Sequence, residues 1–217
     1  MGTILCYGDS NTWGFDSRSF IGDRMPDDVL WTNRLAKATG WHVENHGQNG
    51  RQIPITSTDM VWLRKLLDDA PAREAPVWLW IMLGTNDLLV HDTFTAEDVT
   101  ARMRTCLTAL QAHPHVQSGA VHLRLISPPP MKRGAWADQD RLVTESERLG
   151  PLERALAEEL GIAFTEAGQA ELPLLYDGVH LSEEGHRAFA ELMKLCGNAE
   201  HKSRYFPGGS QVCTAVQ

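Results

Sequence analysis

Short apolar runs alternate along the chain with longer segments in which apolar side chains recur at helical spacing. The first run, residues 3–7, breaks at Gly8-Asp9-Ser10-Asn11 into small polar residues. A buried strand ends in this way at its turn. Residues 77–83 are continuously apolar, short, and bounded by Pro76 and Gly84. They predict a central parallel strand covered on both faces. This run also ends in small polar residues, Gly84-Thr85-Asn86-Asp87. Residues 42–45, 121–126 and 162–165 read as three further strands. The second of these stops at Ser127-Pro128-Pro129-Pro130, which cannot continue a central strand.

Between these runs the spacing predicts helices over 29–39, 60–69, 96–112, 138–160 and 182–196. Asp27 or Asp28 would cap the first and Asp59 the second, and Thr95 with Asp98 would form a capping box for the third. Gly40 and Gly161 would stop the first and fourth helices, and Gly197 the last. Gly150-Pro151 would break the fourth. Strand and helix thus alternate five times, which argues an α/β fold with a mainly parallel five-stranded sheet and helices on both faces. The ends of the first three strands then share one edge of the domain, where open α/β sheets hold their ligands. Residues 198–217 have no hydrophobic period and contain Pro207-Gly208-Gly209. They read as an irregular tail on a domain of residues 1–197.

The 217 residues fit one domain with its own core, and 42% hydrophobic with 22% charged residues is ordinary for a soluble protein. A net charge of -8 argues against nucleic acid or an anionic membrane as partner, since both select basic surfaces. The first strand begins too close to Met1 for a signal segment, and no apolar stretch has the length of a membrane span. The expectation is a cytoplasmic protein with reduced thiols at Cys6, Cys106, Cys196 and Cys213. The histidines and cysteines show no metal-ligand spacing, so neither metal nor cofactor is expected.

Acyl transfer needs an exposed nucleophile, a base within reach and donors aimed at an oxyanion. Ser10 stands at a strand end where a nucleophile is presented. By itself it reads more readily as a helix cap. His180 is the preferred base, because Asp177 in the Asp-Gly-Val-His turn is close enough to orient its ring. His46, nearer the site loop than the other histidines, is a second-choice functional residue. The Ser10 N–H, the Gly50 N–H and the Asn86 amide supply the donors. Gly47 and Gly50, three apart after a strand, mark backbone that turns tightly or approaches something closely.

Gly8-Asp9-Ser10, the Gly50 region, Gly84-Thr85-Asn86-Asp87 and Asp177-Gly178-Val179-His180 follow the order of the four blocks of the SGNH (GDSL-type) hydrolases, a family that the chain resembles from the first strand to the last helix. Residues 5–14, 81–87 and 127–130, with Trp31-Thr32, resemble its small cytoplasmic arylesterase and acyltransferase branch. The resemblance implies a flavodoxin-like three-layer α/β/α sandwich. It implies a triad of Ser10, Asp177 and His180, and an oxyanion hole of Ser10, Gly50 and Asn86. It also implies a homo-oligomer. Asn49 and Gly50 depart from the branch, which often has Ser and Ala there, so the pocket shape stays open.

Trp13, Trp31, Trp136 and residues 128–130 lie on loops expected to face the site, with the loop of residues 15–28 as a further wall. Asp9, Asn11, Trp13, Asn49 and Pro129 are taken as pocket residues. Bulky walls leave a small acyl pocket. The expected function is a serine esterase for short, acetyl-type carboxylic esters of small molecules, with acyl transfer to alcohols or peroxide as a further outcome. The rivals on the same fold are a carbohydrate acetylesterase, a thioesterase and a lysophospholipase. A non-catalytic binding protein would lack a triad member, and none is missing. Activity is expected to fall as His180 protonates.

Overall fold

The computed structural model describes residues 2–203 and 212–213. β1 (Thr3–Gly8) runs into a short helix, α1 (Ser10–Trp13). α2 (Trp31–Thr39) leads to β2 (His42–Gly47), and α3 (Val61–Asp68) to β3 (Val77–Met82). Then come α4 (Thr85–Val90), α5 (Ala96–Gln111), α6 (Pro114–Gln117) and β4 (Val121–Ser127). The chain closes with α7 (Asp140–Leu160), β5 (Ala163–Glu166), α8 (Glu183–Ser203) and β6 (Val212–Cys213).

The five strands expected from sequence all form, and every pairing is parallel. The order is β2-β1-β3-β4-β5-β6. β1 therefore has β2 on one side and β3 on the other, and the direction of winding reverses there. Such a switch point opens a crevice at the carboxyl ends of the strands. Alternation along β1 divides the core. Leu5 and Tyr7 face the layer that holds Leu63, Leu107 and Leu156, while Ile4 and Cys6 face the layer that holds Leu35 and Phe189. Both faces of β1 are buried, so its sequence is apolar without a period of two. No helix among the described residues is long and apolar enough to cross a membrane.

Several boundaries differ from the sequence reading. α2 begins at Trp31 without a side-chain cap, and Asp59 bonds the Thr56 N–H and hydroxyl instead of capping α3. The Thr95–Asp98 capping box of α5 forms as expected. α7 passes unbroken through Gly150-Pro151. Buried Leu142, Leu149 and Leu156 hold its two halves on one surface, and the absence of a side chain at Gly150 admits the Glu166 carboxylate against the helix. Packing here outweighs the local cost of proline. Gly197 does not end the last helix, which continues to Ser203, and β6 adds a two-residue strand against β5. Of the tail expected to be irregular, residues 204–211 and 214–217 lie outside the described residues.

One core group works against stability. Glu153 on α7 is fully buried, and neither carboxylate oxygen has a hydrogen-bond partner among the described residues. Burial, reinforced by the charge of Asp87, pushes its carboxyl well above the usual 4.5. The folded chain then keeps a proton that the unfolded chain releases, so this site loses stability as pH rises past the ordinary glutamate range. Glu153→Gln is expected to raise Tm at about pH 8 and to have little effect near about pH 4. An equal shift at both pH values in thermal unfolding would contradict this.

Candidate active site

Three turns at the carboxyl ends of β1, β2 and β3 meet the loop before α8. At the first, Asp9 caps α1 by accepting the Asn11 N–H (2.9 Å), and Ser10 becomes the first helical residue. Ser10 Oγ lies 2.9 Å from His180 Nε2, and His180 Nδ1 lies 2.7 Å from Asp177 Oδ2. The other Asp177 oxygen accepts the N–H groups of Val179 (2.8 Å) and His180 (3.0 Å). Burial alone would raise the Asp177 carboxyl. The hydrogen bonds from the His180 ring and from backbone N–H groups outweigh it and hold the carboxyl at about 2. Asp177 is thus an anion over the whole working range. It fixes Nδ1 of His180 as the donor and leaves Nε2 to accept from Ser10.

The two glycines of the second turn serve different ends. A side chain on Gly47 would stand 2.1 Å from the Trp13 backbone nitrogen, so Gly47 lets β2 approach α1. Gly50 has open space around it but adopts φ +73°, a left-handed conformation that glycine takes at no steric cost. Among the described residues, neither the Gly50 N–H nor the Ser10 N–H has a hydrogen-bond partner. Asn86, on the first turn of α4, donates to the Arg51 carbonyl (3.1 Å), which joins the second and third turns. Asp87 holds the same loop by accepting the Ile53 N–H (3.1 Å) and pairing with Arg102 (2.7 Å).

Ser10, Asn49, Gly50, Asn86 and His180 line one pocket of about 330 Å³, together with Phe15, Leu89 and Trp136. The Phe15 ring centre is 4.8 Å from that of His180, and Trp136 meets His180 edge-on at 5.1 Å. The Trp136 loop is anchored to the acid turn, where the Trp136 and Ala137 N–H groups donate to the Asp177 carbonyl.

Four residues expected in the pocket are elsewhere. Asp9 is buried beneath the Ser10 turn, where loss of solvation pushes its carboxyl up to about 6 against the pull of the Asn11 N–H. Trp13 packs outside Phe15, with ring centres 6.5 Å apart, and does not line the pocket. Pro129 lines a separate cavity of about 130 Å³ under α7. Trp31, expected on a site-facing loop, is a core residue whose indole N–H donates to the Asn11 carbonyl (3.0 Å). His46, the second-choice functional residue, pairs with Glu44 at 2.9 Å and lies outside the pocket.

Asn11 is the fourth, and it is a clamp. Its side chain donates to the Val179 carbonyl (3.1 Å) and accepts the Leu181 N–H (2.9 Å), pinning the acid–base turn to the nucleophile turn. Asn11→Ala leaves both backbone groups buried and unpaired, at about 1–3 kcal/mol each. The expected result is a Tm lower by about 5 °C or more in a chain of this size. An unchanged thermal transition would contradict the clamp.

Sequence reasoning missed Phe15 and Leu89 as individual walls. Leu89 had a signal, since a helix over the Asn86 turn puts residues three apart on one face. Phe15 lies in the loop of residues 15–28 expected to wall the site, but nothing singled it out within that loop, where it bridges to Arg24.

Residues 6–188 match the GDSL-like Lipase/Acylhydrolase family. Solved structures similar to this one include the native aryl esterase of M. smegmatis, at 25% identity and TM-score 0.78, covering 92% of this chain and 99% of that one. A carbohydrate acetylesterase family member from Sinorhizobium meliloti is 29% identical, with TM-score 0.75 and coverage of 89% and 96%. A putative arylesterase from Agrobacterium tumefaciens str. C58 is 28% identical, with TM-score 0.75 and coverage of 92% and 99%. No curated protein matches the sequence.

Proposed function

The chain belongs to the GDSL-like lipase/acylhydrolase family and is a carboxylic ester hydrolase, and from that premise we propose that it cleaves short, acetyl-type esters through an acyl-enzyme on Ser10. The observation that carries this reading is the unbroken line Ser10–His180–Asp177, at 2.9 and 2.7 Å, opening on a pocket of about 330 Å³.

Ser10 Oγ attacks the ester carbonyl while His180 Nε2 takes its proton. The oxyanion forms beside the N–H groups of Ser10 and Gly50 and the Asn86 amide, an arrangement in which one donor is worth about 10²–10³ in rate. His180 returns the proton to the departing alkoxide, which leaves as the alcohol. Water, activated by the same imidazole, then hydrolyses the acyl-enzyme and releases the acid. An alcohol or peroxide in place of water yields transfer of the acyl group. Phe15, Leu89 and Trp136 cap the acyl side and favour a short chain. The likeness to aryl esterases and to a carbohydrate acetylesterase supports an acetyl-type substrate with a bulky alcohol. A cytoplasmic homo-oligomer that uses no cofactor completes the proposal.

The test is a chain-length series of p-nitrophenyl esters. kcat/KM is expected to be highest for acetate and to fall with each lengthening. A higher kcat/KM for octanoate than for acetate would refute the short-chain reading.

A further inference from the structure

A second cavity of about 480 Å³ adjoins the pocket at Ser10, and Gly50 borders both. Its walls include Tyr7, Gln48, Arg51, Asp59, Trp62 and Arg102. A neighbouring hollow of about 320 Å³ shares Tyr7, Gln48, Arg51 and Trp62 with it. The volumes are those of ligand sites, which run from about 300 to 1,000 Å³.

Two aromatic residues shape this cavity, and one of them is costly without an occupant. Trp62 is 68% exposed on α3, while its helix neighbours Leu63 and Leu67 are fully buried. Its ring offers a broad apolar face to water. Tyr7 is the converse. It is only 4% exposed and lines both hollows, so its phenol is part of the wall that an occupant would meet.

The charges of the cavity are already balanced. Arg51 donates to the Gly8 carbonyl at 2.7 Å, the His46 carbonyl and the Gln48 amide oxygen, and lies 4.0 Å over the Tyr7 ring. Arg102 is paired with Asp87 and donates to the Ile53 carbonyl. Asp59 adds a carboxylate to the same wall. What remains for a ligand is an aromatic face ringed by a phenol, amides, a carboxylate edge and a guanidinium edge. That set suits a molecule with a C–H face and a rim of hydroxyls.

We propose that this cavity is a subsite for a neutral pyranose unit, the alcohol part of the ester cleaved at Ser10. Trp62 lies against the C–H face of the ring, and Tyr7, Gln48, Asp59 and Arg102 bond its hydroxyls. Its place in turnover rests on the esterase reading, whereas binding of the sugar does not.

The experiment therefore has two arms. In the first, the Ser10→Ala protein is titrated with methyl glucoside and followed by tryptophan fluorescence and calorimetry. Saturable binding is expected, weakened about tenfold or more by adding Trp62→Ala or Tyr7→Phe. In the second, KM for a methyl glucoside carrying one acetyl ester is expected to rise about tenfold in Trp62→Ala. kcat/KM for p-nitrophenyl acetate should stay within about twofold. Absence of saturable binding, displacement of the sugar by inorganic phosphate, or equal losses on both esters would overturn the subsite. A protein that cleaves p-nitrophenyl acetate but does not bind the glucoside refutes the subsite alone. One that binds the glucoside through Trp62 but cleaves no ester refutes the esterase reading alone.

Discussion

Ser10→Ala is expected to lower kcat for ester hydrolysis by about 10⁶-fold, the scale seen when the nucleophile of a serine triad is removed. Ser10 is the one hydroxyl-bearing side chain among the residues that line its pocket, and its Oγ is already within 2.9 Å of His180 Nε2. His180 and the oxyanion donors would remain, and they sustain only the small residual rate of a site that binds but cannot form the acyl-enzyme. The substitution removes one buried hydroxyl without touching the Asp9 cap or the Asn11 clamp, so Tm is expected to change little. A fluorophosphonate probe should label the wild type at Ser10 and leave the variant unlabelled. Retention of more than about 1% of wild-type kcat would show that the acyl group is taken elsewhere.

Asp177→Asn is the second large effect, about 10⁴-fold in kcat. The substitution keeps shape and volume, but an amide cannot accept from His180 Nδ1–H at one position and from two backbone N–H groups at the other with equal strength. The ring then loses both its tautomer and the anion that stabilises imidazolium as Ser10 gives up its proton. Stability separates the two roles of this residue. With its carboxyl held at about 2 against an ordinary 3.8, Asp177 contributes stability that is present above pH 3.8 and lost as pH falls through about 2. The wild type should therefore lose an acid-dependent part of its stability that the variant lacks. A loss in kcat below about tenfold, with the acid transition unchanged, would remove Asp177 from the site.

Asp9 and Asn11 show why sequence reasoning reads the turns more readily than the walls of the pocket. Both flank Ser10 in the chain, and proximity in sequence made them pocket residues by expectation. The turn of α1 sends their side chains away from the pocket, one under the helix start and one across to residues 179 and 181. Trp31 shows the same limit. An aromatic before a helix reads as a possible wall, yet its indole is drawn into the α2–α8 layer and bonds the backbone beside Ser10. Phe15 and Trp136 face His180 because loops distant in sequence are tied there, the first by its bridge to Arg24 and the second by the Asp177 carbonyl.

The sequence by itself determined the alternation of strand and helix, the covering of the sheet on both faces, and the four turns that carry Ser10, Gly50, Asn86 and Asp177 with His180. These are local facts: an apolar run, a small polar break, a glycine that must turn, an acid three residues before a histidine. Only the tertiary structure decided which neighbours of those turns face the cavity and which lie in the core. It also carried α7 through Gly150-Pro151, extended α8 beyond Gly197 and left Glu153 buried without a hydrogen-bond partner among the described residues. The physical reason is that each of these outcomes turns on contacts between residues far apart in the chain, and a local pattern records only that a side chain is apolar or polar, not what it will meet.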